Sequence, residues 1–132
     1  PALSSAASDV YKRQVKGWIE NGESHEAVYD VACGGSALNP TTAKCAPNGA
    51  TVDLSDCSWH TTVGASDLKA TWTDPDFDSA EDAFYYARVV QNPTCRWTTY
   101  DSLRLGLAPL ADSQTTVSEM AWGSPVWVKT KH

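Results

Sequence analysis

The dipeptide Asn21-Gly22 is the feature that most constrains how this chain folds. It separates two runs that carry β-branched and aromatic residues, 15–20 and 26–32. Asn-Gly is the strongest two-residue signal for a tight β-hairpin, because both central positions of a type I′ turn require a positive φ. The two runs are therefore predicted to pair as antiparallel strands.

The rest of the chain continues this pattern of short runs between turn residues. Gly, Pro, Asn and Asp separate further candidate strands at 51–54, 58–63, 68–73, 83–90, 118–122 and 125–129. The run 83–90 is largely apolar on both faces, which predicts a central strand, but its Arg88 is expected to need a carboxylate partner. A short helix is predicted over 98–105, ended by Gly106. Together these elements predict a mainly β fold of sandwich-like antiparallel sheets with one short helix.

Four cysteines constrain the loops and the cellular location. Cys33, Cys45, Cys57 and Cys95 contain no C-x-x-C pair, and the three histidines are scattered, so zinc-site spacing is absent. An even count in a loop-rich chain favours two disulfides, which implies a periplasmic or extracellular setting. Three pairings are open. We favour Cys33–Cys45, which would staple a long loop, and Cys57–Cys95, which would tie a strand to a turn; four unpaired buried thiols are the alternative.

The first 14 residues differ in composition from the Trp- and Thr-rich remainder. They begin without Met and resemble a sequencing-adapter read-through found at the ends of open reading frames assembled from metagenomic data. We interpret residues 1–14 as an artefact or a disordered tail and exclude them from the fold. Residues 15–132 then suffice for one modest domain, or part of one.

Charge and hydropathy exclude several kinds of partner. The net charge of −6 argues against a nucleic acid or an anionic membrane surface, which both select basic patches. No run approaches the roughly 18 apolar residues of a membrane-spanning helix, so no membrane span is expected. The opening segment does not have the order of a signal peptide, because its basic residues Lys12 and Arg13 come last. We expect any export signal to belong to a missing N-terminal part.

The densest acidic cluster comprises Asp74, Asp76, Asp78, Glu81 and Asp82. Alternating Asp residues suit Ca²⁺, but an EF-hand loop counted from Asp74 lacks the required Gly at its sixth position and Glu at its twelfth. An irregular Ca²⁺ site stays open as one interpretation. The other is a capped turn in which Asp78 holds the backbone that follows it.

A second cluster follows the predicted central strand. Arg96, Trp97 and Tyr100 stand within a few residues, so Arg96 could face an anion while the two rings offer stacking surfaces. The alternative, which we favour, is that Arg96 pairs with a carboxylate such as Asp101 and that Trp97 lies in the core.

Six tryptophans raise the alternative of a carbohydrate-binding module. Stacking on sugar rings requires at least two of them on one exposed face, whereas their spread over many runs indicates use in the core. The six are Trp18, Trp59, Trp72, Trp97, Trp122 and Trp127. No G-x-S-x-G motif is present and no histidine stands in a recognisable motif, so no catalytic residue is assigned.

Six motifs, taken in order, resemble the closing section of domain of unknown function 3604. They are Val15-Lys16-Gly17-Trp18, Val28-Tyr29-Asp30-Val31-Ala32, Trp72-Thr73-Asp74-Pro75-Asp76-Phe77-Asp78, Phe84-Tyr85-Tyr86-Ala87-Arg88-Val89, Pro93-Thr94-Cys95-Arg96-Trp97-Thr98-Thr99-Tyr100-Asp101 and Trp122-Gly123-Ser124-Pro125-Val126-Trp127. The resemblance covers essentially all of residues 15–132. Full-length members resemble the polymerase-and-histidinol-phosphatase (PHP) superfamily, whose His, Asp and Glu residues hold divalent metals on a distorted α/β barrel.

The resemblance implies a C-terminal, β-rich, non-catalytic part of a larger exported hydrolase that contains an α/β barrel. The divalent metal and its His-x-His motif are expected in the missing N-terminal part, which would be the partner of this segment and would activate water for hydrolysis. No cofactor and no metal ligand is assigned to residues 15–132, and the small-molecule substrate is not identified. Arg96, Trp97 and Tyr100 are the residues expected to reach the rim of the parent's site. A carbohydrate-binding module and a Ca²⁺-stabilised structural module are the alternatives.

Overall fold

The computed structural model describes residues 9–59 and 62–130. Within these ranges the chain forms short and long antiparallel strands and one helix. In chain order the elements are β1 (Asp9–Glu20), β2 (Glu23–Cys33), β3 (Leu38–Asn39), β4 (Lys44–Cys45), β5 (Val52–Asp53), β6 (Ser58–Trp59), β7 (Ala83–Gln91), β8 (Thr94–Cys95), α1 (Trp97–Leu105), β9 (Thr116–Val117), β10 (Met120–Trp122) and β11 (Val126–Val128). The mainly β class with antiparallel sheets and one short helix is confirmed.

The largest sheet is built around two long neighbouring strands. Its order is β10-β7-β1-β2, and β11 also pairs with β7. The predicted hairpin is confirmed, because β1 and β2 pair antiparallel with Glu20 opposite Glu23. Asn21 and Gly22 both have positive φ, 52° and 82°, as a type I′ turn requires.

Strand β7 occupies the central position that its apolar pattern predicts. It pairs with β1 on one side and with both β10 and β11 on the other. Ala83 and Val90, near its two ends, are buried. The expected carboxylate partner of Arg88 is absent from the ion pairs of the described residues, so that expectation is wrong.

The outer neighbour of β7 is one edge strand broken by a bulge. Trp122 in β10 pairs with Arg88, and Val126 in β11 pairs with Tyr85. Three residues, 123–125, therefore stand opposite only two residues of β7. An extra residue of this kind reverses the alternation of side chains beyond it.

The remaining strands form three two-stranded ribbons; one disulfide joins a ribbon to the main sheet, and the other joins the two other ribbons to each other. The ribbons pair β3 with β4, β5 with β6 and β8 with β9. The favoured pairing is the one in the structure: Cys33–Cys45 links β2 to β4, and Cys57–Cys95 links the β5–β6 turn to β8. The loop after Cys33 is thus stapled, as expected.

The single helix begins one residue before its predicted start and ends as predicted. Gly106 closes α1 in the left-handed conformation at φ 65°, and its backbone N–H donates to the carbonyl groups of Leu103 and Ser102. The buried Thr99 hydroxyl donates to the carbonyl of Thr115 at 2.7 Å, which ties the helix to the segment before β9. No helix within the described residues is long and apolar enough to cross a membrane.

Two boundaries differ from the sequence prediction. Within the described residues, β1 already includes Asp9, six residues before the expected start at Val15, because Tyr11 and the residues after it pair with both β2 and β7. The composition of residues 9–14 did not indicate this strand pairing. The interpretation of residues 1–14 as a sequencing artefact stays a prediction. Residues 68–73 do not form the expected strand, since no neighbouring strand pairs with them. Of the candidate strand 58–63, residues 60 and 61 lie outside the described residues.

The described part of the chain has a small core. The buried apolar residues are Val15, Cys57, Ala83, Val90 and Cys95. Many large apolar side chains stay exposed. They are Ile19, Leu38, Leu54, Phe77, Trp97, Leu103, Leu105, Leu107, Leu110, Met120, Trp122, Val126 and Trp127. Such an excess of exposed apolar side chains is typical of a surface that another molecule or domain covers.

Candidate functional site

The predicted cluster Arg96, Trp97 and Tyr100 lies on the first turn of α1. Arg96 is the N-cap residue, its side chain makes no capping hydrogen bond, and its backbone N–H donates to the carbonyl of Thr115. Trp97 is 70% exposed, so the favoured interpretation of Trp97 as a core residue is wrong. Asp101 lies 3.8 Å from Arg104, not beside Arg96. The three residues are close in the chain, but the described contacts do not join their side chains into a pocket.

The six tryptophans divide into two groups. Trp18, Trp59 and Trp72 are partly buried. Trp97, Trp122 and Trp127 are 70%, 67% and 64% exposed, so the expectation that the spread of tryptophans indicates the core fails for half of them. Trp122 and Trp127 meet the condition set for a stacking surface, because both lie on one face of the main sheet.

The bulge in the edge strand is the reason that these two side chains share a face. Trp122 pairs with Arg88 and Trp127 pairs with Phe84, and these two partners are four residues apart on β7. Residues separated by an even number along a strand point to the same side. Five positions separate Trp122 from Trp127, so in a regular strand their side chains would point to opposite sides. The extra residue at 123–125 shifts the alternation by one position, and the two side chains therefore point to the same side.

We name the resulting surface the aromatic face; it consists of Phe84, Tyr86, Trp122 and Trp127. The Phe84 ring lies 5.1 Å from Trp127 and 6.4 Å from Tyr86, measured between ring centroids. Phe84 also covers Gly17 of β1, since a Cβ at that glycine would lie 2.3 Å from the end of the ring. The glycine therefore leaves room for the end of the phenyl ring above the neighbouring strand.

A cavity of about 550 Å³ opens on the aromatic face. Met120 and Pro125 complete its apolar wall, and Arg88 is the one charged side chain among its lining residues. The Nε atom of Arg88 is buried and has no hydrogen-bond partner. The cavity thus combines aromatic walls with a single guanidinium group.

A second cavity, of about 570 Å³, adjoins the first. Phe84 and Trp127 line both cavities, and Trp18 and His25 line the second. The Trp18 and His25 rings stack at 5.3 Å, with an interplanar angle of 21°. The two cavities therefore meet at Phe84 and Trp127, whereas the Trp18 ring lies on the other face of the sheet, 5.0 Å from the ammonium group of Lys16.

The opposite side of the sheet is occupied by the acidic segment 74–81. Lys16 of β1 is buried there, and its ammonium group lies 2.9 Å from Asp74 and 3.8 Å from Glu81. It also donates to the carbonyl of Asp76 at 2.8 Å. Two of the five carboxylates that suggested Ca²⁺, those of Asp74 and Glu81, thus lie beside a buried lysine.

Two tyrosines complete this network. Tyr85 donates to Asp74 at 2.7 Å and Tyr29 donates to Asp76 at 3.0 Å. Burial opposes ionisation of Asp74, but hydrogen bonds from Tyr85 and Lys16 lower its pKa below the usual value. Burial and the hydrogen bond to Asp76 raise the pKa of Tyr29 to about 12, and burial with the hydrogen bond to Asp74 raises the pKa of Tyr85.

The described residues do not fit a metal centre. Within residues 9–59 and 62–130, no group of three or more His, Cys, Asp and Glu side chains is arranged to hold a metal ion. Asp78 uses its carboxylate to accept the backbone N–H of Ala80, as the capped-turn interpretation predicts. His60 and His132 lie outside the described residues.

Sequence reasoning missed the aromatic face because its members come from two distant segments. Phe84, Tyr86 and Arg88 alternate along β7, and that alternation was visible as one face of a predicted strand. Trp122 and Trp127 flank the sequence Gly123-Ser124-Pro125, which is a signal for a break in a strand. The pairing of these two segments was the missing information.

Comparison with known proteins identifies the family of the chain. The model of a family described as protein of unknown function (DUF3604) matches residues 6–130. Neither a curated protein nor a solved structure matches the chain.

Proposed function

The chain belongs to the DUF3604 family, and we propose that it is a non-catalytic β module that packs through its aromatic face onto another part of a larger protein. The observation that carries the proposal is the exposure of Trp122 and Trp127 around one apolar cavity. Aromatic residues, Met and Arg are enriched at the centres of protein interfaces, whereas Lys, Glu and Asp are depleted there. The lining of this cavity has that composition.

The larger protein in this proposal is an exported, metal-dependent hydrolase of the PHP type. Its divalent metal would be held by residues outside this chain, because the expected His-x-His motif is not in this sequence. The two disulfides support a periplasmic or extracellular location, because such bonds persist in oxidising compartments. Arg96, Trp97 and Tyr100 would contribute to the rim of the hydrolase site in this arrangement.

Hydroxyl-radical footprinting with residue-level mass spectrometry tests the packing. The 132-residue chain is compared with the protein encoded by the full open reading frame that contains it. Trp122 and Trp127 should react several times more slowly in the longer protein, because covered rings are shielded from the radical. Phe77 serves as the control, since it is 53% exposed and lines a different cavity, on the side of Asp74. Equal reaction rates of both tryptophans in the two proteins would contradict the proposal.

The second candidate function is a carbohydrate-binding module. Its support is the position of Trp122 and Trp127 on one face, where exposed indole rings can stack on sugar rings. The cavity is less suited to this role, because sugar hydroxyl groups need several polar partners and few polar groups line it. Retardation of the chain in polysaccharide-containing gels, abolished by Trp122→Ala, would favour this candidate over packing.

The Ca²⁺-stabilised module has the least support. Asp74, the first residue of the acidic cluster, is engaged by Lys16 and Tyr85. A Ca²⁺ ion in this place would compete with the buried ammonium group for the same carboxylate. A melting temperature that rises on addition of Ca²⁺ and falls with chelator would revive the candidate.

A further inference from the structure

Arg88 stands in the middle of the aromatic face, and no described residue forms an ion pair with it. Its neighbours across the strands are Trp122 on β10 and Arg13 on β1. Its Nε atom is buried and makes no hydrogen bond. A buried polar atom without a partner is rare in folded proteins, and each one calls for an explanation.

The carboxylate in line with Arg88 across the sheet is Asp30, which lies opposite Arg13 and has other partners. The neighbouring Arg13 uses Asp30, with 2.7 Å between Nε and Oδ1. The other oxygen of Asp30 accepts the backbone N–H of Cys45 at 2.8 Å. Asp30 is therefore fully engaged, and the nearest cross-strand charge to Arg88 is of its own sign.

Covering the aromatic face would increase the free-energy cost of leaving the Arg88 guanidinium group without hydrogen-bond acceptors. A molecule packed over Trp122 and Trp127 removes the water that can still reach the guanidinium group. A guanidinium group that loses water must receive acceptors in exchange, and a carboxylate provides two that match its planar fork. A partner that covers the aromatic face is therefore expected to present a carboxylate to Arg88.

The same observations restrict the class of partner. One cation among apolar walls suits one carboxylate rather than a chain of phosphate or sulfate groups, and the net charge of −6 repels polyanions. The aromatic and Met side chains around the cation suit apolar side chains of a polypeptide. Both arguments select a protein segment over an acidic polysaccharide.

We propose that Arg88 is the anchor for a protein segment that presents one Glu or Asp side chain between apolar residues. The inference rests on the proposed function, because it names the chemistry of the surface that packs on the aromatic face. Arg88 and the partner carboxylate form the charged centre of the interface, and Trp122 and Trp127 exclude water around them.

A peptide-display selection against the full 132-residue chain tests this pairing. A library of random 12-residue peptides is selected in parallel on the wild-type chain, on Arg88→Gln and on Arg104→Gln. Arg104 is the matched control, because it is 78% exposed and lies on α1. We expect one acidic position flanked by apolar residues to be enriched on the wild type and on Arg104→Gln, but not on Arg88→Gln.

Binding constants of the selected peptide make the test quantitative. Replacing its acidic residue by the matching amide should weaken binding at least about tenfold on the wild type and hardly at all on Arg88→Gln. Arg88→Lys keeps the charge without the planar fork and should give an intermediate loss. It also serves as the second variant if circular dichroism shows that Arg88→Gln does not fold.

The outcomes separate the two proposals. The selection could yield apolar peptides without an acidic position whose binding is abolished by Trp122→Ala. That result would overturn the role of Arg88 but would still support the packing function. If Trp122→Ala weakened the binding of none of the selected peptides, the packing function itself would be contradicted. Binding of oligogalacturonate that disappears in Arg88→Gln would overturn the choice of a protein partner.

Discussion

The ammonium group of Lys16 lies 2.9 Å from the carboxylate of Asp74, and the two side chains are only 3% and 5% exposed. This contact joins β1, at the centre of the main sheet, to a segment that makes no strand pairing of its own. Residues 68–82 are held on the sheet by side chains instead, including the ring contact between Trp72 and Tyr29 at 5.0 Å. The stability of this layer therefore depends on a few buried polar groups.

Lys16→Met should destabilise the chain by about 3 kcal/mol, because removal of one member of a buried ion pair leaves the other charge uncompensated. Urea unfolding followed by circular dichroism measures the change. Lys69→Met is the control, since its pair with Asp67 is exposed and its loss should cost less than about 1 kcal/mol. Similar losses in the two variants would contradict the role given to Lys16.

The lowered pKa of Asp74 predicts a loss of stability in acid. A carboxyl group whose pKa is lower in the folded than in the unfolded state stabilises the fold above the unfolded value of 3.8, and the contribution disappears as pH falls through the folded value. The stability difference between wild type and Asp74→Asn should thus be largest near neutral pH and shrink below pH 3.8. Urea midpoints measured from neutral to acid pH test this; a difference that is independent of pH would be contrary to it.

The raised pKa of Tyr29 predicts the opposite behaviour in alkali. A phenol whose pKa is higher in the folded state contributes stability that is complete below the unfolded value of 10.0 and is lost as pH rises through about 12. Tyr29→Phe, which cannot ionise, should lose less stability than wild type over this interval. The measurement is a pH titration of phenolate absorbance together with the unfolding midpoint of both proteins. If the midpoints of wild type and Tyr29→Phe fell equally steeply with pH, the prediction would be wrong.

The two disulfides should contribute unequally. In the loop-entropy model the Cys57–Cys95 bond, which spans 38 residues, stabilises by about 4 kcal/mol, and the Cys33–Cys45 bond, which spans 12, by about 3 kcal/mol. Cys57 and Cys95 are also buried, so their replacement by Ala adds a small packing loss. Unfolding of the two double-Ala variants compares them directly. A larger loss on removal of Cys33–Cys45 would show that strain or residual structure dominates.

Gly17→Ala should disturb the aromatic face from beneath. The new methyl group would lie 2.3 Å from the Phe84 ring, so the ring must move at a cost of about 1–3 kcal/mol. Gly123→Ala is the control, because no atom lies within 4 Å of the position of its Cβ. Unfolding in urea gives the stability change of both variants, and near-UV circular dichroism reports the displaced ring. Equal stability of both variants would mean that Phe84 moves freely.

The parts of the fold that were predictable carry local signals. Asn21-Gly22 specified the turn and hence the pairing of β1 with β2. Gly106 specified the end of α1, where only a left-handed residue completes the cap. The apolar pattern of residues 83–90 predicted a central strand, and β7 has neighbouring strands on both sides.

The parts that were not predictable depend on partners distant in the chain. Residues 68–73 have the composition of a strand, but no neighbouring backbone is available to pair with them. Residues 9–14 lack a strong pattern, yet two adjacent strands fix them. The exposure of Trp122 and Trp127 follows from the register of the edge strand on β7, which no local rule supplies.

The bulge at Gly123-Ser124-Pro125 also determines how the edge of the sheet meets other chains. A long, regular edge strand presents a continuous row of backbone groups and invites another strand to add to it, which leads to fibrous aggregation. Here the row is interrupted, Pro125 has no N–H to offer, and the Gly123 N–H already donates inward to the carbonyl of Ala87 at 3.0 Å. The chain can thus expose two large indole rings at this edge while its backbone resists templating another copy of itself.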